Sequence, residues 1–141
     1  MRFRVEQVSF AQAKAAISQV RRAVFIEEQG IDPALEWDEY DQQARFVIAL
    51  DESEQVIGTG RLLASGKIGR MAVLPAWRRE GVGRAMLAAL EEIAWQSGLQ
   101  QVFLSAQVSA CDFYRKQGYY VVGEAHEEAG LPHQFMEKAL C

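Results

Sequence analysis

From Ala44 onward the chain carries three β-rich runs in succession, ARFVIAL, QVIGTGRLL and GKIGRMAVL, followed by an amphipathic helix, and few folds accommodate that order. The polar DESE separates the first two runs and Ala64-Ser65-Gly66 precedes the third, both of them turn compositions. Three strands joined this tightly make an antiparallel meander. The helix is read from Val82, Met86, Leu90 and Ile93, which recur at helical spacing, with Arg84, Glu91 and Glu92 on its other faces and Gly98 as its stop.

The flanking segments complete the order. FRVEQV near the N-terminus alternates as a short strand. Ser9 is a candidate N-cap for a helix whose apolar positions Ala13, Ile17, Val20 and Val24 face one side. The acidic segment that follows contains Gly30 and Pro33 and reads as loop or broken helix. After the amphipathic helix come a strand in QVFLSA, a helix over 109–117 stopped by Gly118, and two closing strands over 119–122 and 134–140. A meander followed by strand, helix and strands predicts an α/β (α+β) domain: a mixed, mostly antiparallel twisted sheet of six to seven strands flanked by about four helices. A chain of 141 residues fits one such domain, spanning 1–141.

Charge narrows the function classes. The net charge of −4 disfavours a surface that grips nucleic acid, which needs a basic field. No apolar run approaches the roughly 20 residues needed to cross a bilayer, and MRFRVEQVSF lacks the apolar core of an export signal, so a cytoplasmic protein with no membrane partner is expected. Cys111 and Cys141 have neither metal-ligand nor disulfide-framework spacing and are expected to be reduced thiols, with no metal bound. Locally the balance is uneven. Seven of the nineteen acids (Glu27, Glu28, Asp32, Glu36, Asp38, Glu39 and Asp41) fall in one short segment free of Lys and Arg, whereas Arg70, Arg78, Arg79 and Arg84 cluster around the start of the amphipathic helix.

That helix start, AVLPAWRREGVGRAML, places Gly81 and Gly83 where bare backbone N–H groups and the helix dipole attract an anion. Glycine lets the backbone approach a ligand closely, and Arg78, Arg79 and Arg84 can add charge-assisted contacts. A phosphate cradle is one reading; a helix start with turn glycines and solvated arginines is the other. The dinucleotide fingerprint fits poorly, because Met86 stands where Gly or Ala is wanted and no acid follows in Leu104-Ser105-Ala106. The P-loop pattern fails, since Gly83 is followed by Arg84-Ala85 rather than Lys-Ser/Thr. The second glycine pair, Gly58-x-Gly60, lies within a strand pattern and marks a bulge or close packing.

Val73-Leu74-Pro75 followed by Arg78-Arg79-Glu80-Gly81-Val82-Gly83 resembles the acetyl-CoA motif of the GNAT N-acetyltransferase superfamily, Arg/Gln-x-x-Gly-x-Gly/Ala after a strand ending in Val-x-Pro. Downstream, Ala110-Cys-Asp-Phe-Tyr114-Arg-Lys-Gln-Gly118-Tyr119 resembles that superfamily's Ala-x-x-x-Tyr-x-x-x-Gly-Phe/Tyr signature. The spacing between the two motifs and the order of elements also agree with the GNAT fold. Within it, Val24-Phe25-x-x-Glu28-Gln29, Glu36-x-Asp38, Asp41, Pro132-His133 and Met136 look like the YjcF/ElaA-like group of small bacterial acetyltransferases.

The resemblance implies an acetyl-CoA-dependent N-acetyltransferase acting on a primary amine of a small molecule by direct attack in a ternary complex. By the same token Arg78, Arg79, Gly81, Val82, Gly83 and Arg84 hold the pyrophosphate, and Met71, Ala72 and Val73 pair with pantetheine as an added strand would. Gln107 stands where relatives keep an Asn against pantetheine. Tyr114 occupies the position of the acid that protonates the departing thiolate, or else is a packed core aromatic. The carboxylate that many relatives carry on the fourth strand is missing, for this chain has Lys67, Ile68, Gly69 and Arg70 there. Glu28, Glu36, Asp38, Asp41 and His133 are the remaining candidates for the base; a solvated acidic loop and a merely hydrogen-bonded histidine are the alternatives. Phe25, Glu28, Asp41, Arg61, Arg70 and His133 are assigned to the acceptor side. His126, in HEEAG, is read as a surface residue. Open sheet edges favour a homodimer. A non-catalytic acyl-CoA-binding or sensing module, and a nucleotide-binding protein using the same turn, are the competing functions.

Overall fold

The computed structural model describes residues 2–140, with Glu36 described by its backbone alone, so Cys141 and the Glu36 side chain lie outside the described residues. Strand β1 (Phe3–Ser9) leads directly into α1 (Phe10–Arg21). Ser9 caps that helix: its side chain accepts from the Gln12 N–H while the Gln12 side chain accepts from the Ser9 N–H, a complete capping box. The helix does not stop at its α-helical end. It continues as a π-helical segment, Arg22–Glu28, whose wider turn buries the adjacent residues Val24 and Phe25 together. The acidic segment then runs through two short helical turns, α2 (Pro33–Glu36) and a 3₁₀ turn at Glu39–Gln42, each capped by an aspartate side chain, Asp32 and Asp38 respectively.

The expected meander follows as β2 (Arg45–Asp51), β3 (Val56–Leu62) and β4 (Lys67–Val73), all antiparallel. A 3₁₀ turn at Pro75–Trp77 leads to α3 (Val82–Gln96), then β5 (Gln101–Gln107), a 3₁₀ turn at Val108–Ala110 and α4 (Cys111–Lys116). The hairpin of β6 (Tyr120–Glu128) and β7 (Leu131–Ala139) closes the chain. Among the described residues these strands form one mixed sheet, ordered β1-β2-β3-β4-β5-β7-β6, in which only β4 and β5 run parallel. Both closing strands are longer than the sequence suggested, because the polar HEEAG stretch that breaks the apolar pattern forms the rung and turn of a hairpin rather than a loop. No described helix is long and apolar enough to cross a membrane.

Strand β2 shows why the core holds. Its residues are buried from Phe46 to Leu50 because both sheet faces are covered. Val47 and Ala49 pack with Met86, Leu87 and Leu90 of α3, while Phe46, Ile48 and Leu50 meet Phe10 and Ile17 of α1. Each such large side chain contributes about 1.5–3 kcal/mol when buried. The Gly58-x-Gly60 pair sits under α3: a Cβ at Gly60 would lie 2.5 Å from Met71 Sδ and 3.0 Å from a Leu90 methyl carbon. The two glycines therefore mark close packing, and they flank a break in the β3–β4 register.

Candidate active site

The site begins with that break. Thr59 pairs with Ala72 but Arg61 pairs with Gly69, so β4 carries one extra residue and bulges at Arg70-Met71. Arg70 takes a left-handed backbone conformation, φ 51°, that a non-glycine residue adopts only under local constraint. Beyond the bulge β4 no longer follows β5. Their parallel ladder consists of Lys67 with Phe103 and Ile68 with Leu104, after which the strands diverge. A cleft opens between them, and among the described residues the β4 edge from Gly69 to Val73 has no strand partner on that side.

On one side of the cleft lies a cavity of about 540 Å³. Its lining includes every residue that the sequence assigned to the donor: Met71, Ala72, Val73, Arg78, Arg79, Gly81, Val82, Gly83, Arg84 and Gln107. Gly81 is the N-cap of α3 in the left-handed conformation, φ 85°, and no side chain caps the helix. The first intrahelical bond closes from the Ala85 N–H to the Gly81 carbonyl at 3.0 Å, so the amides ahead of it, on residues that line the cavity, lie outside the helical ladder. Gly83 approaches Phe113 of α4 so closely that a Cβ there would be 3.4 Å from its ring. Arg79 and Arg84 are exposed beside this amide array. Arg78 is engaged elsewhere, donating from both terminal nitrogens to Glu28 and from Nε to the Val73 carbonyl.

On the other side lies a narrower cavity of about 240 Å³, lined among others by Phe25, Arg61, Lys67, Arg70, Ser105, Glu128 and His133. The two cavities share Gln29, Met71, Gln107, Ala110 and Tyr114 as their common wall. Gln29 and Gln107 bind each other reciprocally through their amides, with the Gln107 Nε2 to Gln29 Oε1 bond at 2.9 Å. Tyr114 is buried, with its ring edge-on to Phe113 and Tyr119. Burial, assisted by Cys111, pushes its phenol up to about 12. Tyr114 is thus a fully protonated hydroxyl at the junction of two cavities.

The acids expected to serve the acceptor are distributed differently. Phe25, Arg61, Arg70 and His133 line the smaller cavity, but Glu28 and Asp41 do not. Asp41 is buried and accepts from Arg21 at 2.9 Å and Arg61 at 3.1 Å, while Arg21 also lies 4.5 Å over the Trp37 ring. Asp38 accepts from Arg61 at 2.7 Å and Arg70 at 3.1 Å. Burial alone would raise the Asp38 carboxyl, but Arg61 and Arg70 outweigh it and hold the group below its usual range. Within the acidic segment, Asp38 and Asp41 are therefore counterions that fix Arg61 and Arg70 of the cavity wall.

A carboxylate does face the cavity, from a place the sequence reading passed over. Glu128, at the end of β6, accepts from Ser105 Oγ at 3.0 Å and from His126 Nε2 at 3.0 Å, with His133 Nε2 at 3.7 Å. Partial burial pushes its carboxyl up, yet the bonds from His126 and Ser105 and the charges of His133 and Lys67 prevail and keep it below the ordinary range. His126 is correspondingly not a surface residue: its ring is half-buried and stacks on Phe135 at 4.4 Å. The available signal was the i, i+2 spacing of His126 and Glu128, which puts both on one face of a strand. The register His126 with His133 across the hairpin then brings the second histidine alongside. Among the described residues no group of three or more His, Cys, Asp or Glu is placed to hold a metal ion.

Comparison with known proteins agrees with this architecture. The profile of the acetyltransferase (GNAT) domain family matches residues 10–140. Over 123 residues the chain is 37% identical to the uncharacterized N-acetyltransferase YjcF of Bacillus subtilis, covering 84% of this chain and 87% of that protein. The crystal structure of Escherichia coli ElaA superposes with a TM-score of 0.84 at 27% identity, covering 97% of this chain and 99% of ElaA. The crystal structure of an N-acetyltransferase candidate from Lactobacillus plantarum superposes with a TM-score of 0.88 at 31% identity over 100% of both chains. With the glycine-capped helix, the divergent β4 and β5, and the family profile in agreement, the chain belongs to the GNAT acetyltransferase family.

Proposed function

We propose that the protein is an N-acetyltransferase that moves the acetyl group of acetyl-CoA to a primary amine of a small molecule by direct attack in a ternary complex. The observation that carries this reading is the pair of cavities meeting at Tyr114. In the larger one the amides from Gly81 to Arg84 and the guanidinium groups of Arg79 and Arg84 take the pyrophosphate. The unpaired β4 edge at Met71, Ala72 and Val73 takes the pantetheine amides, and Gln107 is positioned to add a side-chain amide contact. The acceptor enters from the smaller cavity, against Phe25, Arg61, Arg70 and His133. Tyr114 lies at the junction and protonates the leaving thiolate.

Asp41 and Glu28 act at one remove, Asp41 by fixing Arg61 and Glu28 by fixing Arg78. The net charge of −4 favours small-molecule partners over nucleic acid, and a cytoplasmic enzyme without a membrane partner fits the composition. Strand β6, an open sheet edge with Tyr120, Val121 and Val122 exposed, favours a homodimer.

Isothermal titration with CoA, ATP and NAD, followed by an acetyl-CoA-consumption screen over aminosugars, amino acids, polyamines and peptide N-termini, tests the proposal. Selective CoA binding with turnover of at least one amine is expected. CoA binding without turnover would favour a non-catalytic acyl-CoA-binding module, and absence of CoA binding would overturn both.

A further inference from the structure

The strand carboxylate that commonly serves as base in this family is absent, and the hairpin of β6 and β7 supplies a different proton acceptor. His133 is almost wholly buried and lines the smaller cavity. Its Nδ1 lies 2.8 Å from the Leu131 carbonyl oxygen. A carbonyl can only accept, so the proton on that side belongs to Nδ1, and in the neutral ring the lone pair is on Nε2. Nε2 lies 3.7 Å from Glu128 Oε2.

His126 has the opposite tautomer. Its Nε2 is 3.0 Å from Glu128 Oε1 and must carry the proton there, leaving Nδ1 buried and without a partner. With Ser105 donating to the same oxygen, Glu128 is held in place as a fixed acceptor. The two histidines thus differ in what they can do. His126 has its Nε2 proton committed to Glu128, whereas His133 keeps its Nε2 lone pair, with the Glu128 carboxylate 3.7 Å away, and lines the cavity that Tyr114 also lines.

We propose that His133, oriented by the Leu131 carbonyl and backed by Glu128, takes the proton from the acceptor amine. The assignment rests on the acetyl-transfer reading given above. The acceptor ammonium gives one proton to His133 Nε2, and the freed amine attacks the thioester carbon. The C–N bond forms, the C–S bond breaks, and the CoA thiolate takes the Tyr114 proton. The second amine proton leaves as the amide forms and restores Tyr114 through solvent, while His133 releases its proton to water. One ammonium and one thioester become one amide, one thiol and one proton. His133 is catalytic in this scheme and Glu128 is a positioning residue. The charged or titratable groups nearest His133 are Glu128 and His126 from β6, and Lys67 and Arg70 from β4, Arg61 from β3 and Tyr114 from α4 line the same cavity.

Two measurements test it, both on the full chain after CoA titration has shown that each variant folds and binds. Nitrogen-detected NMR of the free protein should show neutral His133 with its proton on Nδ1. A neutral Nε2–H tautomer overturns the assignment. In turnover with a competent amine, His133→Gln should lower kcat/KM about 100-fold near neutral pH. That loss should shrink to less than about tenfold in alkali, where an amine with a pKa of about 10 is already free. An equal loss at all pH values indicates a structural role and overturns it. Absence of turnover by wild-type protein over all amine classes overturns the acetyl-transfer reading itself, and the role of His133 with it.

Discussion

Glu28 and Arg78 form a two-pronged ion pair, each carboxylate oxygen 2.6 Å from a different guanidinium nitrogen, and this pair ties the end of the π-helical segment to the loop ahead of α3. The contact joins the segment that supplies Phe25 to the smaller cavity to the turn ahead of α3 that lines the larger one. It also removes Arg78 from the set of free charges available to a phosphate. The Arg78 bonds lower the Glu28 carboxyl below its ordinary value, and burial opposes them only in part.

The first prediction concerns the acid dependence of that pair. Because the folded pKa of Glu28 is depressed, its stabilisation is present above the unfolded carboxylate pKa and is lost as pH falls through the folded one. Both side chains are more than a third exposed, so solvent screening limits the effect to less than about 1 kcal/mol. Urea unfolding of Glu28→Gln should show a deficit of that size at neutral pH, which shrinks as pH falls below the ordinary glutamate value of about 4.3 and vanishes only below the depressed folded value. A deficit that does not shrink in acid would mean that the pair is not its source.

Asp41 should behave differently, since it is buried between two arginines. Asp41→Asn keeps the shape but leaves Arg21 and Arg61 without their shared anion. Removing one partner of a buried ion pair costs about 3–5 kcal/mol. Denaturant unfolding should show a loss in that range, and a loss below 1 kcal/mol would show that water or Asp38 compensates.

Tyr114→Phe should leave CoA affinity within about twofold and reduce kcat about 100-fold, the usual contribution of a positioned acid. Since burial holds the phenol near about 12, Tyr114 itself should cause no alkaline fall in wild-type activity through the mildly alkaline range. Titration of CoA and a pH–rate profile check both points. Unchanged turnover in the variant would return Tyr114 to the role of a packing aromatic.

Gly81→Ala probes the donor cradle. The position has φ 85°, where a Cβ is strained, although no backbone crowds it. A stability loss of about 1 kcal/mol is expected from the left-handed conformation alone. CoA should bind roughly tenfold more weakly because relaxing the strain turns the first amides of α3 away from the anion. Thermal unfolding and calorimetry measure the two effects separately, and unaltered CoA affinity would locate the pyrophosphate elsewhere.

The local elements were legible in the residue order because their causes are local. Ser9, read as an N-cap, does cap α1, and its bond is completed within one turn of the chain by Gln12. Strand β2 follows from a continuous β-rich run and helix α3 from apolar periodicity, and the residues that the motifs single out around the glycines at 81 and 83 line one cavity. The acceptor side was less legible, because charge pairing depends on distances that the chain order does not contain. Asp41 and Glu28 carry the right chemistry, but Arg21, Arg61 and Arg78 neutralise them. Glu128 looked like part of a polar surface stretch, and His126 likewise.

By itself the sequence determined the order of strands and helices, the glycine-marked start of α3, and which tyrosine stands within the second motif. Only the tertiary structure decided which charges remain available for chemistry. A one-residue bulge at Arg70-Met71 turns β4 away from β5 and opens the cleft, and a hairpin register brings His133 beside Glu128 at its wall. Backbone propensity acts between neighbours in the chain, whereas the protonation and pairing of side chains are set by groups tens of residues apart that meet only after the sheet has formed.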